Sequence, residues 1–390
     1  MTPSANLRFF DDLKEWSERK LQLIKQYLES STKILSSYGR VYYLDGFAGR
    51  GSYGKAGEVQ IPGSPLQAAQ LAKEFAASSK PYALRCINVE SDRDTFDELE
   101  RVTVSYAQYV QNISGTFADS IATILKAMGR YPAVCFLDPF GVDGMDWKAV
   151  QQLIARKPPT DLWLRFDADE VRRRDGYYRS SLPGADKQFE ILTRVYGISD
   201  NDKLHQALQA ADPEARKERA VELYLQRLNR DFVRNKGQGY SAAYRIGSLQ
   251  EDIKYYLIFA TANKKGLILA SNIVYKIEEE YQRDLERYKE HYKASPQMTM
   301  FAIIDPSPKE IFEAKVQDIT KYMTTAGRHA QGNGHSLTRL DLHALLLEHH
   351  FGQIKGPHVT EALRQLVKDG IILSHDGALS DDNTRITFAL

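Results

Sequence analysis

Residues 44–54 read LDGFAGRGSYG, and the placing of one carboxylate ahead of four glycines decides how the rest of the chain is read. The preceding run, VYYL at 41–44, has the aromatic and β-branched composition of a buried strand. Asp45 ends that strand. Gly46, Gly49, Gly51 and Gly54 follow, so the backbone can turn tightly and bring its N–H groups close to a ligand. A carboxylate in this place suits a cationic or amine-bearing ligand better than a pyrophosphate.

Working outward, YALRCINVE (82–90) and AVCFLDPF (133–140) have the same form, an apolar run closing on an acidic residue or a turn. DLWLRFDA (161–168) is a further strand after the helix suggested by WKAVQQLIARK, while TRVYG (193–197) is too short to assign. Helix formers fill the intervals: SPLQAAQLAKEFAA, then stretches around DTFDELERVTVSYAQYV and DSIATILKAMG. Apolar strands alternating with helices predict an α/β fold, a Rossmann-like, mostly parallel sheet covered on both faces. Glu90, at the end of the second strand, stands where an acidic side chain accepts from ribose hydroxyls. The ligand these two acids describe is a nucleoside with a cationic tail. A dinucleotide fingerprint requires G-x-G-x-x-G and an acid about 20 positions on. Here the glycines run G-F-A-G-R-G-S-Y-G and Glu90 lies 45 positions after Asp45. The remaining competitor is a glycine-rich loop that holds no cofactor.

Segment organisation follows. The stripe Leu13, Trp16, Leu21, Ile24, Leu28 and Ile34 predicts a leading helix, or two short ones, within residues 1–38. The sheet domain is expected over 39–290, with a charged, tyrosine-rich helical insertion at about 172–250 and a linker at Lys236 to Gly239. YYLIFATANKKGLILAS (255–271) reads as two strands around a turn, completing the sheet with an antiparallel pair. Residues 291–390 give a helix (KEIFEAKVQDITKYM), a loop (GRHAQGNGH), two more helices and a hairpin, the outline of a winged helix.

Composition narrows the function class. In 390 residues, 52 basic side chains nearly cancel 51 acidic ones, so no global field attracts a polyanion. Cys86 and Cys135 are too few for a disulfide scaffold or a multi-cysteine metal site. The amino terminus lacks a signal sequence's basic region and apolar core, and no run approaches the roughly 20 apolar residues of a membrane span. A cytoplasmic protein with no membrane association is expected.

D-G-F-A-G-R-G is similar to motif I of class I S-adenosylmethionine-dependent methyltransferases, particularly the D-x-F-A-G-x-G form of RNA and DNA base methylases. That resemblance implies that Asp45 and the backbone from Gly46 to Gly51 hold the methionine end, Glu90 the ribose and Asp119, in TFADS, the adenine edge. Phe47 would pack beneath the loop. More of the chain resembles the three-Cys-motif partner protein family, TcmP: the leading helix, YYLDGFAGRGSYG followed by GSPLQA, FLDPFG and YYLIFATANKKGL. The family resemblance implies a partner related to radical S-adenosylmethionine proteins with three cysteines.

In FLDPFG, Asp138 stands at a strand end beside the expected methyl donor, Pro139 fixes the turn and Phe140 offers a face for stacking. A carboxylate with backbone carbonyls can accept from an exocyclic amine and orient its lone pair, leaving proton loss to solvent or Asp138. D-P-F-G resembles motif IV of tRNA guanine N2-methyltransferases and, less closely, the D-P-P-Y of adenine and cytosine amino methylases, from which the aromatic here departs by one position. The expected activity is methyl transfer to a nucleobase nitrogen, in nucleic acid or a nucleotide. The alternative is a cofactor-binding regulatory partner that docks through its C-terminal domain.

Two further features bear on the polymer. DEVRRRDGYYRS (169–180) sets Arg172, Arg173, Arg174 and Arg179 near Tyr177 and Tyr178, suited either to phosphates and a stacked base or to an ordinary solvated helix face. From Ser336 to Leu390 there are five Lys or Arg against seven Asp or Glu, which favours protein docking over duplex contact for the winged helix. Seven of the nine histidines lie between His329 and His375, but their spacing is not that of a metal site.

Overall fold

The structure, a computed structural model, describes residues 15–54, 60–79, 82–247, 253–293, 307–333 and 336–389. Helix α1 (Glu15–Leu35) buries Leu21, Ile24 and Leu28, leaves Ile34 exposed and donates the Tyr27 hydroxyl to Asp161 at 2.9 Å. Leu13 of the expected stripe lies outside the described residues. Next come β1 (Arg40–Asp45), a small hairpin of β2 (Ser52–Tyr53) and β3 (Ile61–Pro62), then α2 (Ser64–Ala77), β4 (Ala83–Glu90), α3 (Arg93–Thr103) and β5 (Val110–Ser114). They lead into α4 (Phe117–Met128), β6 (Ala133–Leu137), α5 (Trp147–Ala155) and β7 (Thr160–Phe166). Four helices, α6 (Ala168–Asp175), α7 (Ala185–Tyr196), α8 (Asn201–Leu208) and α9 (Pro213–Lys236), precede β8 (Tyr240–Gly247) and β9 (Ile253–Thr261).

The main sheet has the order β5-β4-β1-β6-β7-β9-β8. Its first five strands pair in parallel, β9 runs antiparallel to β7, and β8 antiparallel to β9. This is the Rossmann-like sheet of the class I methyltransferase fold. All five residues of β6 are buried, as the middle of a sheet covered on both faces requires. Chain order reverses between β1 and β6, so the crevice beyond their carboxyl ends is the topological switch point, where ligands bind in open α/β sheets. Helices leave this edge on side-chain caps: Asp92 accepts from Thr95 N, Thr116 from Asp119 N, Asp146 from Lys148 N and Asp167 from Glu170 N. Each cap is worth about 1 kcal/mol and fixes the loop where a ligand would meet the sheet.

The chain divides into two compact units, the first ending at Asn263 and the second beginning at Lys264. The sequence reading put that boundary near 290 because it took GLILAS for a strand. The segment instead opens α10 (Lys264–Lys293), whose helical period buries Leu267, Ala270 and Val274. The antiparallel partner of β9 is β8, inside the stretch assigned to the insertion, so the inserted helices span Ala168–Lys236. Strand β5 was also missed: it is an edge strand with only half-buried apolar residues, and it sits where helix was expected to continue.

In the second unit α10 is followed by α11 (Pro308–Gly332), β10 (Leu337–Thr338), α12 (Arg339–His350), α13 (Gly356–Lys368), β11 (Ile372–His375) and β12 (Arg385–Phe388). Its sheet has the order β10-β12-β11, completing the expected winged helix. Gly327, read as loop, lies within α11, where a Cβ would stand 2.3 Å from the Phe388 ring. A glycine here admits the wing strand against the helix. Buried Arg339 joins the start of α12 to the wing and to α13, donating to Leu379 O at 2.9 Å, Asp382 Oδ1 at 2.5 Å and Gly356 O at 3.2 Å. Among the described residues no helix is long and apolar enough to cross a membrane.

Candidate functional site

A cavity of about 730 Å³ opens at the switch point of the first unit, within the roughly 300–1,000 Å³ of small-ligand sites. Gly46, Phe47, Gly49, Gly51, Glu90, Asp138 and Phe140 all line it. Asp45 does not. Fully buried beneath the loop, its carboxylate accepts from Ser64 Oγ at 2.6 Å, Tyr43 Oη at 3.0 Å and Phe47 N at 3.3 Å. Burial raises this carboxyl to about 6, the hydroxyls of Ser64 and Tyr43 offset part of that rise, and the charge of Asp138 adds to it. Asp45 therefore organises the loop from below instead of meeting a ligand directly.

The loop amides are likewise engaged. Gly46 N donates to Phe136 O at 2.9 Å, Ala48 N to Val89 O at 2.9 Å and Gly49 N to Glu90 Oε2 at 2.9 Å. With Phe47 N directed to Asp45, the four amides of residues 46–49 are given to protein acceptors and do not form a nest for an anion. Gly49 and Gly51 hold φ of +60° and +80°, the region glycine enters without strain. Phe47 lines the cavity and packs 5.8 Å from Phe117, ring centre to ring centre.

Glu90 accepts at both oxygens, from Gly49 N and, at 2.8 Å, from Asp92 N. A carboxylate has about four acceptor positions, so capacity remains for a diol. Asp119 is exposed, bonded to Thr116 Oγ1 at 2.7 Å, and does not line the cavity. Its neighbours Thr116 and Phe117, and the cap residue Asp92, do. The TFADS segment thus reaches the site through its first residues and the helix start, one turn before the residue the motif resemblance singled out.

Asp138 lies between two cations from distant elements. Its Oδ2 accepts from Lys20 Nζ on α1, and its Oδ1 is 3.8 Å from Arg165 Nε on β7. That Oδ1 is a buried acceptor with no hydrogen-bond partner among the described residues. Arg165 Nη1 donates to the buried Pro139's carbonyl at 2.8 Å, its guanidinium lies 4.8 Å from the Tyr255 ring centre, and Nη2 stands 4.0 Å from Asp167. Phe140 is 59% exposed at the cavity. Beyond it, Gly141 cannot carry a side chain: its φ is +67° and a Cβ would fall 1.7 Å from Glu170 Oε2, which accepts from Val142 N at 2.8 Å.

Sequence reasoning missed Lys20, Arg165, Tyr53 and Tyr255, all of which line this cavity. The basic and aromatic segment does not. Arg172 pairs with Asp169 at 3.0 Å, Arg174 with Glu170 at 2.5 Å and Arg179 with Asp202 at 3.0 Å, while Tyr178 stacks on His205. Three of the segment's four arginines are thus paired with acids. Among the described residues no cluster of His, Cys, Asp and Glu could hold a metal ion, and both cysteines are free and buried.

No protein-family model matches the sequence, and no curated protein matches it. Among solved structures, the chain is similar to the O-methyltransferase from Bacillus cereus in complex with SAH, at 13% identity over 66% of this chain and 87% of that one, with a TM-score of 0.33. The O-methyltransferase TomG from Streptomyces achromogenes, in complex with SAM, shares 12% identity over 67% and 96%, with a TM-score of 0.30. The small RNA methyltransferase HEN1 shares 13% over 62% and 26%, with a TM-score of 0.31. At these values the class I fold rests on the strand order and directions of the sheet itself.

Proposed function

We propose that the chain is an S-adenosylmethionine-dependent methyltransferase whose acceptor is a nitrogen on a nucleobase. The observation that carries the reading is Asp138 at the switch point: it lines the same cavity as Glu90 and exposed Phe140, and its buried Oδ1 has no hydrogen-bond donor among the described residues. A buried acceptor without a donor is unfavourable by about 1–3 kcal/mol, and an amine N–H would satisfy it. The remaining acceptor capacity of Glu90 suits a ribose. When bound, S-adenosylmethionine supplies an electrophilic methyl group on a sulfonium whose departure as a neutral thioether drives transfer. Asp138 orients the acceptor N–H and takes up its proton, directly or through solvent, and Phe140 stacks on the ring. Arg165 fixes Asp138 and the Pro139 carbonyl in place.

The arginines of residues 172–179 that would contact phosphates are largely spent on internal ion pairs. This favours a nucleoside or nucleotide over a polymer. The test is transfer of labelled methyl from S-adenosylmethionine to nucleosides, nucleotides, RNA and DNA, with Asp138→Ala as control. Label on a base nitrogen in the wild type alone supports the reading. Label on oxygen or on protein, or equal transfer by the variant, contradicts it.

A second reading has its own support in the second unit. The wing carries Asp376, Asp381 and Asp382, Leu373 is 67% exposed, and Arg364 on α13 pairs with Glu361 at 2.9 Å. That surface suits a protein more than a nucleic-acid backbone. On this reading the winged helix docks a partner protein; the three-Cys-motif type implied by the sequence resemblance is the one to test by co-purification.

A further inference from the structure

The amino-acid end of S-adenosylmethionine carries a carboxylate, and the glycine loop has few donors left for it. The N–H groups of Gly46, Phe47, Ala48 and Gly49 are all given to protein acceptors, and the Arg50 guanidinium turns back onto the carbonyls of Ser52 and Gly54 at 2.8 and 2.5 Å. Helix α1 supplies what the loop lacks. Ser17 and Lys20, three residues apart and so on one face, both line the cavity. The Lys20 side chain is only 8% exposed, and Asp138 accepts one of its hydrogen bonds. An ammonium has three donors, and the other two have no protein partner among the described residues. Buried donors in this position require an acceptor.

Lys20 is also held firmly. The helix that carries it is tied to the sheet by Tyr27 to Asp161, by Tyr255 Oη to Trp16 O at 3.2 Å and by Arg19 to Gly247 O. The rings of Phe136 and Tyr255 lie 5.8 and 5.9 Å from Nζ, near enough for cation–π attraction. Neighbouring Arg165 is committed to Pro139 O and to the acidic pair Asp138 and Asp167.

We propose that Lys20 binds the methionine carboxylate of the cofactor, bridging it to Asp138, so that the leading helix is part of the cofactor site. The inference rests on the cofactor reading above. It gives α1 a direct role: cofactor binding and the orientation of the acceptor carboxylate share one ammonium.

Decarboxylated S-adenosylmethionine, which differs from the cofactor only by that carboxylate, isolates the contact. Calorimetric titration of the full chain with both compounds is expected to show wild type preferring the intact cofactor by about ten- to a hundredfold, the range for one charge-assisted hydrogen bond. Lys20→Met should reduce the preference to near unity by weakening only the intact compound, and Lys20→Arg should keep part of it. A circular dichroism spectrum of each variant, taken without ligand, checks that α1 and the sheet are retained. A preference equal in wild type and Lys20→Met, or equal weakening of both compounds, overturns the assignment and leaves Lys20 as a partner of Asp138 or of an acidic acceptor. Failure of wild type to bind either compound overturns the cofactor reading itself, and this inference with it.

Discussion

Arg165 donates to the carbonyl of Pro139 at 2.8 Å while its Nε stands 3.8 Å from Oδ1 of Asp138. One guanidinium thus sets both the turn of the D-P-F loop and the carboxylate at its start. Replacing Asp138 by alanine should lower methyl transfer at least a hundredfold, the scale of a lost positioning group, without abolishing S-adenosylmethionine binding. Arg165→Ala should lower kcat by about ten- to a hundredfold, with partial rescue by added guanidinium, because the lost element is a planar fork and not charge alone. Steady-state kinetics on the acceptor found by the labelling screen checks both. Unchanged kcat in Asp138→Ala removes it from the mechanism.

Glu90 and Asp119, assigned together by motif resemblance, should separate on mutation. Glu90→Ala frees the amides of Gly49 and Asp92 as well as the ribose position and is expected to weaken cofactor binding by about tenfold or more. Asp119→Ala touches only an exposed helix start and should leave affinity within about twofold. Titration of both variants measures this, and a large loss in Asp119→Ala would restore the adenine-edge role.

Burial holds the Asp45 carboxyl near 6, against an ordinary 3.8. From about pH 4 to 6 the folded chain keeps a proton that the unfolded chain has lost, so this group's contribution to stability falls as pH rises and is fully adverse above pH 6. The scale is about 3 kcal/mol. Asp45→Asn should match wild type at pH 4 and exceed it by about 2–3 kcal/mol at pH 7.5 in urea unfolding. A difference independent of pH contradicts the buried, protonated carboxyl.

The second unit has the opposite dependence. Burial, helped by Arg339 and opposed by Asp382, lowers the His343 imidazole to about 4, and its Nε2 has no hydrogen-bond partner among the described residues. A neutral histidine stabilises the fold above its unfolded pKa near 6.5 and ceases to do so as pH falls toward 4. The loss is about 3 kcal/mol, and His343→Leu should abolish most of it. Hydrogen exchange at the amides of Leu346 and Leu347, compared at pH 7 and 4.5 after correction for intrinsic rates, tests this. Equal protection at both pH values contradicts it.

Much of the sheet was readable because its central strands are continuous apolar runs and its switch-point loops carry glycine and acid together. Strand β5 was not, since its two apolar residues, Val110 and Ile113, stand three apart, the spacing of a helix face. GLILAS shows the converse error: a short apolar run has no period until the helix behind it is counted. In the site, Glu90 and Phe140 were legible from strand-end position, whereas Lys20 lies 118 residues from its partner Asp138 and left no local signal. Arg165 did leave one, as the lone basic residue inside DLWLRF. Tyr43 shares a strand face with Asp45, two residues on, and its hydroxyl foretold a buried carboxylate. The arginines at 172 and 174 had acids three and four residues earlier, the spacing at which helix side chains pair.

The measurement that tests the central claim most directly is calorimetric titration of the cofactor-stripped protein with S-adenosylmethionine, with NAD as control. Saturable micromolar binding of S-adenosylmethionine alone is the predicted result. Absence of binding, or equal affinity for NAD, would contradict it and leave the glycine loop a structural turn over Asp45.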